Sequence, residues 1–410
     1  MTSAFEFCQN KRFWSPTFLC PPAKAIHSGV LETSTPQESP SPRYFHLTWS
    51  HLYQGQTQES TSYCDFKADL RWVTLKPFEE RTNGNLRFGF SLFSKSFQQD
   101  FYVKSQEDLN QWLDYLEQIC ILRDITEDFT LIRQIGSGGQ SDVYLSISLT
   151  TGEEVAMKHF DKRRFINHPK RLAALAKEIA TLRRISHPRV MKLYRVYEDD
   201  QAVYLITELI PGHTLLQSLK AKGTFLPSEA KQFVQNMLDL FTYFTAEGIL
   251  HRDVKPENIM IPDSATRGDF KLIDFGFATN WTGTDIKESC GSPGYMAPEL
   301  MSEHSHGQSV DIYSAGMVFY VLIAGYSPFY ATSRSEVLRL NAENSITFGD
   351  KWKVVDIAYI ELIESMTATD PRQRKSVALL KAAFLVRLTP AEAVPTGTPA
   401  NMQDDYETQS

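Results

Sequence analysis

The stretch His251-Arg252-Asp253-Val254-Lys255-Pro256-Glu257-Asn258 decides how this chain is read. It sets an acid, a base and an amide (Asp253, Lys255, Asn258) within a few residues, just after a run that stops at Gly248. That run starts near Ser228 and places Phe233, Val234, Met237, Leu238 and Phe241 on one face, so the spacing predicts a helix ended by glycine. A polar loop after a helix is ordinary; one that carries all eight of these letters by chance is not. Upstream, strand-like runs fall at 129–135, 142–149, 154–160, 193–197 and 202–208. Between the third and fourth lies a helical run with Leu172, Leu175, Ala176, Ile179 and Leu182 on one face, which Pro188 must stop. Downstream the pattern is helical to about Leu388, and its longest apolar stretch, 315–324, is far short of the roughly 18 residues that a membrane span needs. Strands first and helices afterwards predict an α+β domain of two lobes.

The N-terminal part follows another rule. Residues 33–42 (TSTPQESPSP) are expected to form a loop. Strand-like runs at 44–49, 70–75, 87–93 and 101–103 include the alternation Phe88, Phe90, Leu92. The period then changes: Leu109, Trp112, Leu113, Leu116 and Ile119 share a helical face, with Ser105 as N-cap and Asp108 three residues on. A β-meander closed by one helix is expected. Residues 389–410, with three prolines and no Lys or Arg, read as a disordered tail.

Composition narrows the function classes. The 410 residues carry 42 Lys and Arg against 49 Asp and Glu, a net charge of −7, which argues against a general nucleic-acid binder. The 42% hydrophobic content excludes wholesale disorder. The five cysteines (Cys8, Cys20, Cys64, Cys120, Cys290) show no C-x-x-C spacing, so neither a disulfide framework nor a thiolate zinc site is indicated. No secretory h-region or lipidation signal is read in the chain, and a cytoplasmic or nuclear location is expected.

Residues 129–388 resemble a eukaryotic-type Ser/Thr protein kinase domain. The resemblance rests on IGSGGQSDV (135–143), VAMK (155–158), HRDVKPEN (251–258), Asp274-Phe275-Gly276 and GSPGYMAPE (291–299), in kinase order. RRISHPRVMKLYRVYED and ESCGSPGYMAPE look most like the calcium/calmodulin-dependent group. The resemblance implies a bilobal α+β fold, ATP and Mg²⁺ (or Mn²⁺) as cofactors, and protein substrates. Ile135, Gly136, Gly138, Val143 and Ala156 would line the nucleotide, with Ser141 in place of the family's third glycine and Gln140 at the loop tip. Lys158 would hold the α- and β-phosphates and pair with Glu178. Thr207 would be the gatekeeper before Glu208 and Ile210, whose main chain would bond adenine. Asp253 would accept or orient the hydroxyl proton, Lys255 would neutralise the moving phosphoryl group, and Asn258 and Asp274 would ligate metal. Glu299 would pair with Arg374, Asp311 would cap the catalytic-loop backbone, and His251 would be structural. Lys255 and Ser292 match the Ser/Thr-directed pattern.

Three further expectations come from the same likeness. Glu288, counted back from Cys290, stands where many kinases carry a phosphothreonine, with Arg252 as its partner. Glu257 matches an acidic position that pairs with upstream arginines of substrates, whereas the second such position is Thr214, so only a modest basic preference is expected. The tail lacks a basic amphipathic helix, so no calmodulin site is evident there. The competing reading is a catalytically weak pseudokinase or docking scaffold; the presence of Lys158, Glu178, Asp253, Asn258 and Asp274 together favours the enzyme, and the form of the 291–299 segment disfavours a lipid kinase.

Residues 23–122 resemble a pleckstrin-homology (PH) domain, a β-barrel capped by a helix, with SGVLE (28–32) and RYFHLTW (43–49) as first strands and Trp112 in the closing helix. Residues 30–42 contain no Lys or Arg and include Glu32 and Glu38, so specific phosphoinositide binding is disfavoured and docking to protein, or to the neighbouring lobe, is expected. The expected division is a segment 1–22, the PH-like domain 23–122, a linker 123–128, the kinase domain 129–388 and the tail 389–410.

Overall fold

The computed structural model describes residues 14–16, 25–35, 38–55, 64–82, 84–139, 141–165, 168–266, 268–283, 286–302 and 306–387. The expected tail 389–410, Gln140 at the loop tip and nearly all of the segment 1–22 lie outside these residues. The chain divides into two compact units, Met1–Arg184 with Lys192–Leu209, and Ile185–Met191 with Ile210–Ser410.

The first unit is organised on a 14-stranded sheet. Its N-terminal strands are β1 (Ser15–Pro16), β2 (His27–Thr35), β3 (Glu38–Leu47), β4 (His51–Gly55), β5 (Cys64–Asp69), β6 (Thr74–Thr82), β7 (Asn85–Ser94) and β8 (Phe97–Val103), followed by α1 (Gln106–Ile119). They are antiparallel, in the order β1-β5-β4-β3-β2-β8-β7-β6. Ser105 does cap α1, its side chain accepting the Asp108 amide at 3.1 Å. The helix buries Leu109, Trp112, Leu116 and Ile119 on the face that the period predicts.

The expected loop at 33–42 is instead the far end of a hairpin, with Glu32 opposite Pro42 and Thr33 opposite Ser41. Among the described residues β3 pairs with β4 only from Tyr44 to Leu47, so 38–43 is paired on the β2 side alone, and such one-sided positions are where a sheet tolerates proline. The run 70–75 is likewise corrected: the strand begins at Thr74, and 70–73 is a turn closed by Val73 N–H to Leu70 O at 3.2 Å, with Trp72 and Val73 buried. Hydrophobic content marked this turn as a strand. Strands β4 and β5 were not foreseen.

After α1 come β9 (Ile121–Leu122), the short α2 (Ile125–Asp128), β10 (Phe129–Ser137), β11 (Asp142–Ser148), β12 (Glu154–Asp161), α3 (Pro169–Leu182), β13 (Leu193–Glu198) and β14 (Ala202–Glu208). β9 pairs in parallel with β6 at Thr74 on one side and with β13 at Val196 and Tyr197 on the other. Two residues thus join both halves into one sheet, which continues β13-β14-β12-β11-β10. One core links Leu31, Phe45, Phe90 and Trp112 with Val155, Met157, Tyr197 and Ile206. A second packs Trp72 and Ile121 against Leu175, Ala176 and Ile179 of α3. Each such side chain contributes about 1.5–3 kcal/mol of burial free energy.

The second unit contains β15 (Gly212–Thr214), α4 (Leu215–Lys222), α5 (Pro227–Glu247), β16 (Ile249–Leu250), β17 (Ile259–Pro262), β18 (Lys271–Leu272), β19 (Thr279–Asn280), α6 (Pro298–Met301), α7 (Ser309–Ala324), α8 (Arg334–Glu343), α9 (Ile357–Thr367) and α10 (Val377–Arg387). Helix α7 is buried throughout 310–324 and packs on α5 and α9, as a helix that is apolar on nearly every side after its first turn must. Gly248 ends α5 at φ 62°, where a Cβ would lie 2.6 Å from the Trp281 carbonyl oxygen, so no other residue fits. Among the described residues no helix is long and apolar enough to cross a membrane.

Candidate active site

In the strand-rich unit, β10 and β11 form a hairpin whose turn is closed by Gly138 N–H to Ser141 O at 2.8 Å. A Cβ at Gly139 would meet nothing within 4 Å, and one at Gly136 or Gly138 would make only ordinary contacts at 3.6 Å. The glycines therefore relieve no clash within the hairpin; they keep its backbone bare, as close approach of a ligand requires. Ile135 is exposed, Val143 half-buried and Ala156 buried. Lys158 stands opposite Val143 in the β11–β12 ladder, and its Nζ lies 2.7 Å from Glu178 Oε1. Glu178 projects from α3 and is 4% exposed, so its carboxylate is held by the ammonium group in a weakly solvated setting. Thr207 is buried opposite Ala156 and donates its hydroxyl to the Ala156 carbonyl at 3.3 Å. The Glu208 amide donates to Lys192 O. Ile210, in the other unit, is half-buried.

In the helix-rich unit, the 251–258 loop runs between β16 and β17 and is held by the first turn of α7. The buried Asp311 carboxylate accepts the amides of His251 at 2.8 Å and Arg252 at 2.7 Å. Burial pushes its pKa up, against His251 and the two amides. These bonds keep Arg252 at φ 66°, a left-handed conformation that is costly for a side-chain-bearing residue. Its guanidinium donates from Nε to Phe277 O at 2.9 Å and from Nη2 to Glu288 Oε2 at 3.0 Å. His251 is buried edge-on to Phe275, accepts the Asp253 amide at Nδ1, and has its pKa lowered by burial, so it is neutral near pH 7.

Asp253 is the centre of this loop. Its Oδ2 accepts Asn258 Nδ2 at 2.9 Å and Lys255 Nζ at 3.1 Å, whereas Oδ1 is buried with no hydrogen-bond partner. Lys255 also donates to Ser292 Oγ at 2.5 Å. Because Asn258 spends its amide nitrogen on Asp253, its carbonyl oxygen remains as an acceptor. Ile273 N–H donates to Asn258 O at 3.0 Å, bringing the neighbouring Asp274 beside it. No group of three or more His, Cys, Asp and Glu fit to hold a metal occurs among the described residues. Asn258 and Asp274 offer the few hard oxygen donors that suit a divalent cation completing its shell with phosphate and water. Away from this centre, Glu299 and Arg374 form a bidentate pair at 2.6 and 2.8 Å. Glu257 is half-buried, its Oε2 shut off from solvent without a hydrogen bond and its pKa raised by burial, and Thr214 caps α4.

The sequence-derived residues thus fall into two sets, Ile135, Gly136, Gly138, Val143, Ala156, Lys158, Glu178, Thr207 and Glu208 in one unit and Ile210, Arg252, Asp253, Lys255, Asn258, Asp274 and Glu288 in the other. Sequence reasoning passed over Arg183, the C-cap of α3, whose only signal is a pair of arginines after an apolar face.

A family description of the protein kinase domain matches residues 129–385. Human calcium/calmodulin-dependent protein kinase type 1B is 32% identical over 264 residues, which cover 62% of this chain and 75% of that protein. Calcium-dependent protein kinase 5 of Plasmodium berghei is 32% identical over 232 residues, 56% of this chain and 40% of that one. "Probable serine/threonine-protein kinase 2" of Plasmodium falciparum is 28% identical over 349 residues, 84% of this chain and 65% of that one. The last match is too long to lie within 129–385 and its short C-terminal flank, so it reaches into the N-terminal region.

Proposed function

We propose a residue-level mechanism on one premise: the chain belongs to the protein kinase family and is an ATP-dependent serine/threonine protein kinase acting on protein substrates. The observation that carries it is the buried, unpartnered Oδ1 of Asp253. A carboxylate oxygen withdrawn from water needs a donor, and a substrate hydroxyl supplies one. With Oδ2 tied by Asn258 and Lys255, Oδ1 is oriented to accept that hydroxyl's proton as the oxygen attacks the γ-phosphorus.

The other assignments follow from charge and position. Lys158, braced by Glu178, holds the α- and β-phosphates, and the bare hairpin at Gly136 and Gly138 covers them between Ile135 and Val143. Ala156, Thr207, Glu208 and Ile210 form the adenine side. Asn258 and Asp274 would hold Mg²⁺, or Mn²⁺ on the same donors, and the chemistry such a cation would supply is neutralisation of phosphate charge. Lys255 offsets charge on the transferred group. Glu288, paired with Arg252, replaces a phosphate on the 277–296 segment, so the enzyme works without phosphorylation there.

We assign the N-terminal strands and α1 to a PH-like domain of 23–122, ahead of a kinase domain of 129–388. The absence of Lys and Arg from 30–42 supports docking to protein over phosphoinositide recognition, in a cytoplasmic or nuclear protein with no calmodulin site in its tail. Asp253→Asn is the test: phosphotransfer to a peptide hydroxyl should fall by about 10²–10⁴ with the melting temperature unchanged. Full activity of the folded variant would leave a docking scaffold as the better reading of the 251–258 loop.

A further inference from the structure

We infer that Arg183 is a positioning residue through which the N-terminal domain sets Glu178 against Lys158. The inference rests on the role proposed above for that pair.

Helix α3 is anchored unevenly. At its start, His168 makes no side-chain cap. At its end, Arg183 donates from Nη1 to Arg71 O at 2.5 Å and from Nη2 to Cys120 O at 2.8 Å. Both acceptors precede residue 129. The guanidinium also lies over the ring of Trp72, 5.8 Å from its centroid. Among the described residues no carboxylate hydrogen-bonds to it; its hydrogen bonds go to main-chain oxygens, Asp69 acts on it only at longer range, and burial lowers its pKa to about 10. Its Nε is shut off from solvent without a partner. Burying a cation is costly unless hydrogen bonds compensate it, so the guanidinium is held to these two carbonyls.

The carbonyls are fixed because their segments are. Cys120 closes α1 and leads into β9, which is hydrogen-bonded on both sides, and Arg71 sits in the turn before β6. Trp72 and Ile121 pack on Leu175, Ala176 and Ile179, the face of α3 that flanks Glu178. Glu178 lies five residues before Arg183, about 7.5 Å along the helix. A shift at the clamp is therefore delivered almost whole to the carboxylate, and misplacing a catalytic group by 1 Å costs on the order of 100-fold in rate.

A second contact between the halves supplies the control. Arg195 on β13 pairs with Glu117 on α1, away from α3. The test uses the full chain and four variants: Arg183→Met, Arg183→Lys, Trp72→Leu and Glu117→Gln. For each, kcat, peptide KM, melting temperature and hydrogen exchange of 175–182 are measured, with Lys158→Met as reference. Arg183→Met and Trp72→Leu should lower kcat roughly 10- to 100-fold at unchanged peptide KM, with faster exchange in 175–182. Arg183→Lys, keeping one donor, should fall between. Glu117→Gln should leave kcat within about twofold. If Arg183→Met does not fold, Trp72→Leu carries the test alone, since that side chain belongs to the other domain. Equal kcat losses in Glu117→Gln and Trp72→Leu, or wild-type kcat per folded molecule in Trp72→Leu, would overturn the inference. Wild-type activity of Lys158→Met would instead overturn the catalytic reading beneath it.

Discussion

Arg374 in the helix-rich unit and Arg183 in the strand-rich unit solve one problem in opposite ways. Both guanidiniums lie over an aromatic ring, Tyr313 at 5.0 Å and Trp72 at 5.8 Å. Arg374 is closed by a bidentate carboxylate, Glu299, and also donates to the Ala368, Ser309 and Thr369 carbonyls. Among the described residues Arg183 hydrogen-bonds to carbonyls only. The first arrangement is a charge pair inside one unit; the second is a plug into the main chain of a different domain. A charge pair resists removal of either partner, whereas a main-chain socket moves whenever the domain that carries it moves.

The largest test of this contrast takes one residue proposed to be catalytic from each unit. Lys158→Met and Asp274→Asn should each reduce phosphotransfer by at least about 100-fold while the melting temperature holds. The next compares the two arginine sites directly. Glu299→Ala strands Arg374 and should cost about 3–5 kcal/mol in urea denaturation. Arg183→Met removes two hydrogen bonds to neutral acceptors and should cost about 1–3 kcal/mol. Reversal of that order would break the comparison.

Glu288→Ala should lower kcat several-fold without changing ATP affinity, because Glu288 is half in solvent and an exposed pair contributes about 1 kcal/mol or less. The measurement is peptide phosphorylation after phosphatase treatment, with mass spectrometry of 277–296. Recovery only on rephosphorylation of Ser289 or Thr284 would reduce Glu288 to a surface residue. Acid should act on both units. Burial holds His51 in one and His251 in the other below the ordinary 6.5. The unfolded ring takes its proton first, so their contribution to stability is complete above about 6.5 and is lost as pH falls through the lowered folded values. Asp311, with a raised pKa, acts with opposite sign: its contribution is present below 3.8 and lost as pH rises through its folded value. His51→Asn should blunt the loss as pH falls below about 6.5 in the strand-rich unit alone, read by hydrogen exchange. The smallest effect is expected from Glu257→Gln, a decline of about fivefold or less in preference for peptides with an upstream arginine.

The same contrast explains what was legible. Glu299, Arg374 and Asp311 stand in recognisable strings because each must be one residue type for its partner to be satisfied. The caps at Ser105 and Gly248 and the buried face of α5 could be read for the same reason. The sockets at Arg71 and Cys120 could not: any residue presents a carbonyl, so no letter records that one is used. The hairpin through Pro40 and Pro42 was hidden because proline signals a loop unless its one-sided pairing is known. Trp72 and Val73 looked like a strand because a buried turn carries the same apolar residues.

The brevity of β9 has a consequence for solubility. Ile121 and Leu122 cover the β6 edge at Thr74 and the β13 edge at Val196 and Tyr197. Any event that pulls these two residues away, a nick before Phe129 or thermal fraying of α1, bares two strand edges at once. Each presents unpaired main-chain groups next to apolar side chains, a template for pairing with another chain. A fragment beginning at residue 123 should therefore self-associate where the full chain stays dispersed, and a charged substitution at Val196 would worsen folding before it cured the edge, since that side chain is wholly buried.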